Sequence, residues 1–462
     1  MPNTNLKRTL SLTAAIMVVA GSMIGSGIFR KPATMAGQLL SPELLLLVWV
    51  AAGLITFMGA LSNAEVAGMI DATGGQYVYF QKMYGKFFSF LYGWSVIAVI
   101  QSGSQAAIAY VFGEYVGYFI HYPQAPDWLK DISLYMPFVG NIFPFNDIGP
   151  KFVAILSIIF LTIVNYIGVM FGGVVQTIVT YIKIISIVAL ALMLLLFGSG
   201  NLANLVTDYQ LSNNGQNIFI MIGLALSGAF WAYDGWNNVT FISGEIKNPQ
   251  INVPKALLTG TLIVMFTYVL INAAYLYILP IDEMSKSPLV AASAIEKLFG
   301  SAGGAIISIA VIISTFGALN GSLLASARVP FAMAREKLFF KRLGSIHPKY
   351  ATPHVSLVVQ GIWSAILVLS GSFDTISDYV IFATWLFYML GAYGVIVLRK
   401  KMPDAVRPYK VWGYPYTTFL FVIFAFVFLL NSLIADTENA AMGLILIFSG
   451  VPFYFYYRKK SE

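Results

Sequence analysis

Cysteine is absent from the 462 residues, histidine occurs three times, and Asp, Glu, Lys and Arg together reach only 10%. Without cysteine there is no disulfide, no thiolate nucleophile and no cysteine-ligated metal. His121, His347 and His354 are scattered along the chain without ligand spacing, so neither a metal nor another cofactor is expected. No serine-histidine pair or carboxylate cluster marks a reacting centre, which argues against an enzyme. So little charge also excludes an ordinary soluble domain.

What the chain has in quantity is apolar: 58% hydrophobic residues, 15% aromatic residues and 40 glycines. This composition reads as an all-α polytopic membrane protein whose first partner is the lipid bilayer. Apolar runs divided by charged or Pro/Gly-rich breaks give twelve spans, near 11–36, 44–70, 84–120, 152–171, 173–197, 217–243, 256–279, 303–329, 355–370, 377–398, 414–435 and 440–457.

The net charge of +7 suggests nucleic acid until its distribution is considered. With twelve spans both termini share one face, and that face collects 20 of the 27 Lys and Arg residues, from Lys7 and Arg8 to Lys459 and Lys460. The other face takes Arg30, Lys31, Lys130, Lys151, Lys286 and Lys297, along with acidic residues such as Asp208, Asp374 and Asp378. This bias places both termini in the cytoplasm and removes the case for nucleic acid. Segment 288–299 is too short to cross and reads as a surface or lid helix in an outer loop.

Residues 11–197 and 217–398 are blocks of nearly equal length, each with five spans, so they enter the membrane from opposite faces. A tail (1–10) precedes them and an outer loop (198–216) separates them; a cytoplasmic loop (399–413), two more spans (414–457) and a tail (458–462) follow. Each block opens on an interrupted helix, at Gly21-Ser22-Met23-Ile24-Gly25-Ser26-Gly27 and around Tyr233-Asp234-Gly235-Trp236-Asn237. Corresponding interruptions point to an inverted repeat around a midplane site. Broken backbone is tolerated in hydrocarbon only where protein, water or a ligand supplies partners. Free N–H groups near Ser26 and Ile28 suit a carboxylate, and free carbonyls of Met23 and Ile24 suit an ammonium. Close helix packing through small residues is the other reading of the same glycines.

The run from Gly21 to Phe29, and Trp231-Ala232-Tyr233-Asp234-Gly235-Trp236-Asn237 continued by Gly244-Glu245-Ile246-Lys247-Asn248-Pro249, resemble signatures of the L-type amino acid transporters in the amino acid-polyamine-organocation superfamily. Gly74-Gly75-Gln76-Tyr77, Val175-Gln176 with Lys183, Ser314 to Gly321, His347-Pro348 with Thr352-Pro353, and Arg407-Pro408 with Lys410-Val411 extend the resemblance from about 10 to 415. It implies a LeuT-like five-plus-five inverted repeat with two further helices, alternating access and sodium-independent exchange of amino acids. It also implies that the backbone at Ser26 and Gly27 holds the substrate carboxylate, that the carbonyls of Met23, Ile24 and Trp231 hold the amino group, and that Trp231 is the lid. Lys183 would stand in for sodium. Animal relatives carry a disulfide-linked glycoprotein; without cysteine no such partner is expected, and the chain reads as a monomer or weak oligomer of a prokaryotic inner membrane.

The candidate substrate residues are therefore Met23, Ile24, Gly25, Ser26, Gly27, Trp231, Ala232, Asp234, Gly235 and Asn320, with Trp231 and Glu245 as gates. Each has a plainer reading. Lys183 can snorkel to an interface, Asp234 can accept bonds from the broken helix, Asn320 can tie helices together, and Glu245 can be solvated rather than half of a closing ion pair with Arg or Lys. Tyr233 and Trp236 read as packing residues, Glu65 as a partner of loop cations, and Glu114 has no assigned role. The main functional reading is a broad neutral amino acid exchanger. The alternatives are a cationic or mixed exchanger selected by Asp234, and a proton-coupled symporter.

Overall fold

The computed structural model describes residues 8–70, 74–123, 125–167, 173–206, 217–350 and 352–461. Asp71, Asp208 and the side chains of Val175 and Gln176 lie outside the described part.

Polar residues start several of the helices. Ser11 accepts the backbone N–H of Ala14 (3.2 Å) to open α1 (Leu12–Met23), which is followed by α2 (Gly27–Leu39). Ser41 accepts from Leu44 (3.2 Å) ahead of Pro42 and Glu43, opening α3 (Pro42–Met69). Then come α4 (Gln76–Tyr84), α5 (Lys86–Ser95) and, through a π-helical turn at Val96–Ile100, α6 (Gln101–Val116). An antiparallel hairpin, Leu134–Met136 with Gly140–Ile142, interrupts the otherwise helical chain before α7 (Ile148–Ile167) and α8 (Gly173–Phe197).

Asn217 caps α9 (Ile218–Tyr233), which gives way to a 3-10 helix at Trp236–Glu245. The chain continues with α10 (Pro249–Ile278), α11 (Val290–Ser326), α12 (His354–Val368), α13 (Phe373–Lys401), α14 (Tyr416–Ala435), α15 (Thr437–Phe448) and α16 (Gly450–Ser461). Within α11, Gly300 takes φ +62° and turns the chain, so the segment ahead of it, where a surface helix is expected, is set off from the long helix.

The chain is an all-α polytopic membrane protein. Among the described residues ten helices or helix pairs are long and apolar enough to cross a bilayer, or eleven with α1 and α2 as one bent span. The apolar α12 is shorter, at 15 residues.

Both interruptions are narrower than the glycine pattern suggests. Gly21 and Ser22 remain helical, and the first break is confined to Ile24, Gly25 and Ser26, with a 40° bend between the halves. The second is Asp234 and Gly235, since Trp236 and Asn237 already belong to the 3-10 helix. Gly235 sits at φ +92°, and a Cβ there would come 2.8 Å from the Ser22 carbonyl oxygen, so glycine lets the second break lie against the last turn of α1.

The helices pack as two groups. α3 lies along α10, α1 packs on α10, and α2 packs on α9; separately, α6, α7, α11 and α12 pack on one another. α8 runs beside α1 and α10, and α13 joins α6 to α14 and α15.

Candidate functional site

A cavity of about 310 Å³ lies between the two groups. Met23, Gly25, Ser26 and Gly27 from the first break, Trp231, Asp234 and Gly235 from the second, Lys183 from α8 and Asn320 from α11 all line it. Two of the expected substrate residues do not. Ile24 is fully buried behind the wall, and Ala232 packs on α2, where a Cβ added to Gly27 would meet its Cα at 2.5 Å.

The broken ends carry opposite chemistry. At the start of α2 the first N–H groups have no partner within their own helix, and the buried Ser26 hydroxyl has no partner among the described residues. Ser26 and Gly27 line the cavity, so the donors at this helix start suit an anionic group. At the end of α1 the carbonyls are already engaged: Tyr268 donates to that of Met23 (2.8 Å), and Lys183 donates to that of Ile24 (3.3 Å). The Trp231 carbonyl takes the N–H of Asp234 at 3.2 Å. Each oxygen keeps a second lone pair, so these carbonyls retain acceptor capacity.

Asp234 lies in the cavity wall and receives the Tyr388 hydroxyl at 2.6 Å on Oδ1. Asn320 both lines the cavity and ties helices, because Asn165 donates to its Oδ1 at 2.8 Å. Gly25, Gly317 and Gly321 have nothing within 4 Å of where a Cβ would stand, and all three line the cavity, so its width depends on missing side chains.

The cavity is closed at one end. Trp231 meets Phe373 edge-on (5.7 Å between centroids), and Lys31 and Arg30 stand over Phe373 at 5.1 and 5.7 Å. Beyond them Arg30 pairs with Glu114 (3.1 Å) and Asp374 (3.5 Å), and Lys31 pairs with Asp374 (2.8 Å) and Asp378 (3.4 Å). Glu114 thus gains the partner that its sequence context did not indicate.

Toward the other end the cavity passes Phe241 and Ile242 and reaches Leu10, Glu245 and the exposed Arg328. Here Leu10 pairs with the chain at the end of the 3-10 helix (Leu10 N–H to the Glu245 carbonyl, Lys247 N–H to that of Leu10, both 2.9 Å), joining the halves of both broken spans that meet at this mouth. Glu245 makes no ion pair among the described residues; Arg328 is the cation lining the same mouth.

Other expectations resolve by packing. Glu65 receives Arg399 through two bonds (2.9 and 2.7 Å), the Val411 N–H at 2.8 Å, and an ion pair with Arg407 at 3.4 Å. Tyr233 packs with Trp49 and Tyr268, and Trp236 with Tyr388. The histidines are less scattered than their spacing suggests: His347 and His354 meet with centroids 5.1 Å apart, although the His347 Nδ1 accepts backbone N–H groups of Lys349 and Tyr350. Among the described residues no group of three or more His, Asp or Glu could hold a metal.

Tyr268, Tyr388, Arg328 and Gln101 are site residues that motif reading missed. Gln101 had a signal, because Gln101 and Gln105 lie one turn apart, as do Ser322 and Ser326, and the two pairs bond across α6 and α11. The tyrosines had none beyond being aromatic in apolar helices.

Two interrupted helices meeting at a sealed-ended cavity define a membrane transporter of a small organic solute rather than a channel or an enzyme. The sequence model of the amino acid permease family matches residues 10–451. The serine/threonine exchanger SteT of Bacillus subtilis is 32% identical over 99% of this chain and 98% of its own length. The human b(0,+)-type amino acid transporter 1 is 31% identical (98% and 88%), and the rabbit large neutral amino acids transporter small subunit 2 is 33% identical (97% and 80%). The chain belongs to the amino acid permease family and is an amino acid transporter of the amino acid-polyamine-organocation superfamily.

Proposed function

We propose that the protein exchanges neutral and cationic L-α-amino acids across a prokaryotic cytoplasmic membrane without sodium. The substrate carboxylate lies on the N–H groups at Ser26 and Gly27, its ammonium on the carbonyls around Met23 and Trp231, and its side chain runs toward Asp234. The observation that carries the cationic half is the Asp234 carboxylate in the cavity wall, oriented by Tyr388. A buried carboxylate gains most from a cation brought by the ligand, whereas a purely neutral selector has no use for one there. The relatives are divided in the same sense: one is an exchanger of serine and threonine, another carries both 0 and + in its type symbol.

Twelve spans in a five-plus-five inverted repeat, with both termini cytoplasmic, accommodate this reading. The two packed groups consist of spans five apart in order, α1/α2 with α9, α3 with α10, α6 with α11 and α7 with α12. In this orientation the charge layer at Arg30 is a closed outer gate, the mouth at Leu10 is open to the cytoplasm, and Glu245 meets Arg328 when that mouth closes. Lys183 supplies a fixed charge where a coupled relative would bind sodium.

Proteoliposome counterflow tests this. Vesicles preloaded with serine and offered twenty amino acids are expected to take up alanine and lysine alike, without sodium and with the proton gradient collapsed. Loss of uptake on removing either gradient, or exclusion of all cationic substrates, contradicts the proposal.

A further inference from the structure

Behind Trp236, away from the main cavity, α3, α4, α13, α14 and the 3-10 helix enclose a separate void of about 20 Å³. Asn63 and Gln76, exposed by 8% and 4%, enter a wall of aliphatic and aromatic side chains that includes Tyr79, Trp236 and Tyr388. The Asn63 Nδ2 and Oδ1 and the Gln76 Oε1 have no hydrogen-bond partner among the described residues. Leaving a buried polar group unpaired is costly, so three around one hole call for a partner in it. A void of about 10–15 Å³ holds one water, provided that polar partners face it.

The donor set selects the occupant. Water accepts from the Asn63 Nδ2 while donating to the Gln76 Oε1, whereas a bare cation satisfies only the oxygens and opposes the amide hydrogens. Gln76 and Tyr388 also wall a neighbouring void of about 10 Å³, which reaches Gln101, Asn237 and Asp234. Tyr388 gives its one proton to Asp234 at 2.6 Å. Gln76 and Tyr388, which wall both voids, thus stand between Asn63 and the carboxylate in the cavity wall. Gly75 fits this turn against the 3-10 helix, at φ +54° and with Thr240 Oγ1 2.6 Å from where a Cβ would stand.

We propose that Asn63 and Gln76 form a built water site behind the second broken helix, and that this water steadies Tyr388 and through it the orientation of Asp234. Asn63, Gln76 and Tyr388 are positioning residues in this scheme and do not meet substrate. The effect on transport rests on Asp234 reading the substrate side chain; the water site itself does not.

The test is a thermal cycle on the purified full-length protein with Asn63→Leu, Gln76→Leu and the double variant, together with a high-resolution map of the wild type. With water present, either single change strands the remaining amide and lowers Tm by about 1–3 °C, and the double variant regains most of the loss. A peak between Asn63 and Gln76 is expected in the map. In a dry chamber Asn63→Leu removes two unpaired atoms, so Tm rises, the changes add and no peak is found; that result overturns the proposal. The double variant, stable but without the water, should also show a several-fold lower ratio of lysine to alanine exchange. An unchanged ratio there overturns the link to Asp234. Should Asp234→Asn also leave the ratio unchanged while the thermal cycle holds, the reading of Asp234 fails and the water site stands.

Discussion

The Lys183 ammonium donates to the carbonyl of Ile24 across 3.3 Å, from a side chain 8% exposed in α8. The oxygen it holds is at the end of α1, where the helix dipole presents partial negative charge. Tyr268 holds the preceding carbonyl, so the broken end is fixed by two donors from two other helices.

Replacing Lys183 by Ala removes a charge-assisted bond worth about 1.5–3 kcal/mol. Exchange is expected to fall about ten- to a hundredfold, with membrane insertion unchanged. Counterflow with the purified variant checks this, and wild-type exchange would remove Lys183 from the mechanism.

Asp234→Asn keeps the shape of the side chain and its bond with Tyr388 but removes the charge. Uptake of lysine, arginine and ornithine is expected to drop by at least about tenfold relative to alanine, since an ionic hydrogen bond exceeds a neutral one by that much. Equal loss for alanine would mean that the side chain serves the backbone of the break. Tyr388→Phe should act in the same direction and more weakly.

The layer over Trp231 places three carboxylates, Glu114, Asp374 and Asp378, around two cations, Arg30 and Lys31. Lys31 is only 1% exposed, so Asp374→Asn leaves a buried ammonium with the more distant Asp378. The expected outcome is a shift toward opening on this side. The absence of native cysteine makes it measurable: in a Ser227→Cys background, Asp374→Asn should speed thiol labelling from the face of Arg30 several-fold. Identical labelling rates would show that the layer does not hold the gate.

Glu65 joins α3 to the end of α13 and to the chain after it through Arg399, Arg407 and the backbone of Val411. Glu65→Ala leaves the largely buried Arg407 with backbone carbonyls as acceptors but no carboxylate, and breaking such a buried pair costs about 3–5 kcal/mol. A fall in Tm of about 3–5 °C is expected, with unchanged apparent KM in the fraction that remains folded. A Tm within a degree or so of wild type would make the clasp incidental.

Much of the site was legible because it is made of local backbone. Gly25 and Ser26, or Asp234 and Gly235, interrupt a helix locally, and hydropathy shows that the break lies at membrane depth. The limits of each break were not legible. Gly21 and Ser22 continue α1 to Met23 despite the glycine, and Ala232 leaves the cavity wall because α2 presses Gly27 against it.

Sequence alone determined a membrane-spanning helical chain, the two interruptions and the chemistry of their exposed ends, since each depends on residues within a turn or two of one another. The tertiary structure decided which charges meet. Lys31 reaches Asp374 across 343 positions, and Arg30 reaches Glu114 across 84. It also decided that Tyr268, Tyr388 and Arg328 belong to the site. Such contacts depend on how whole helices lie against one another, and no short window of sequence carries that information.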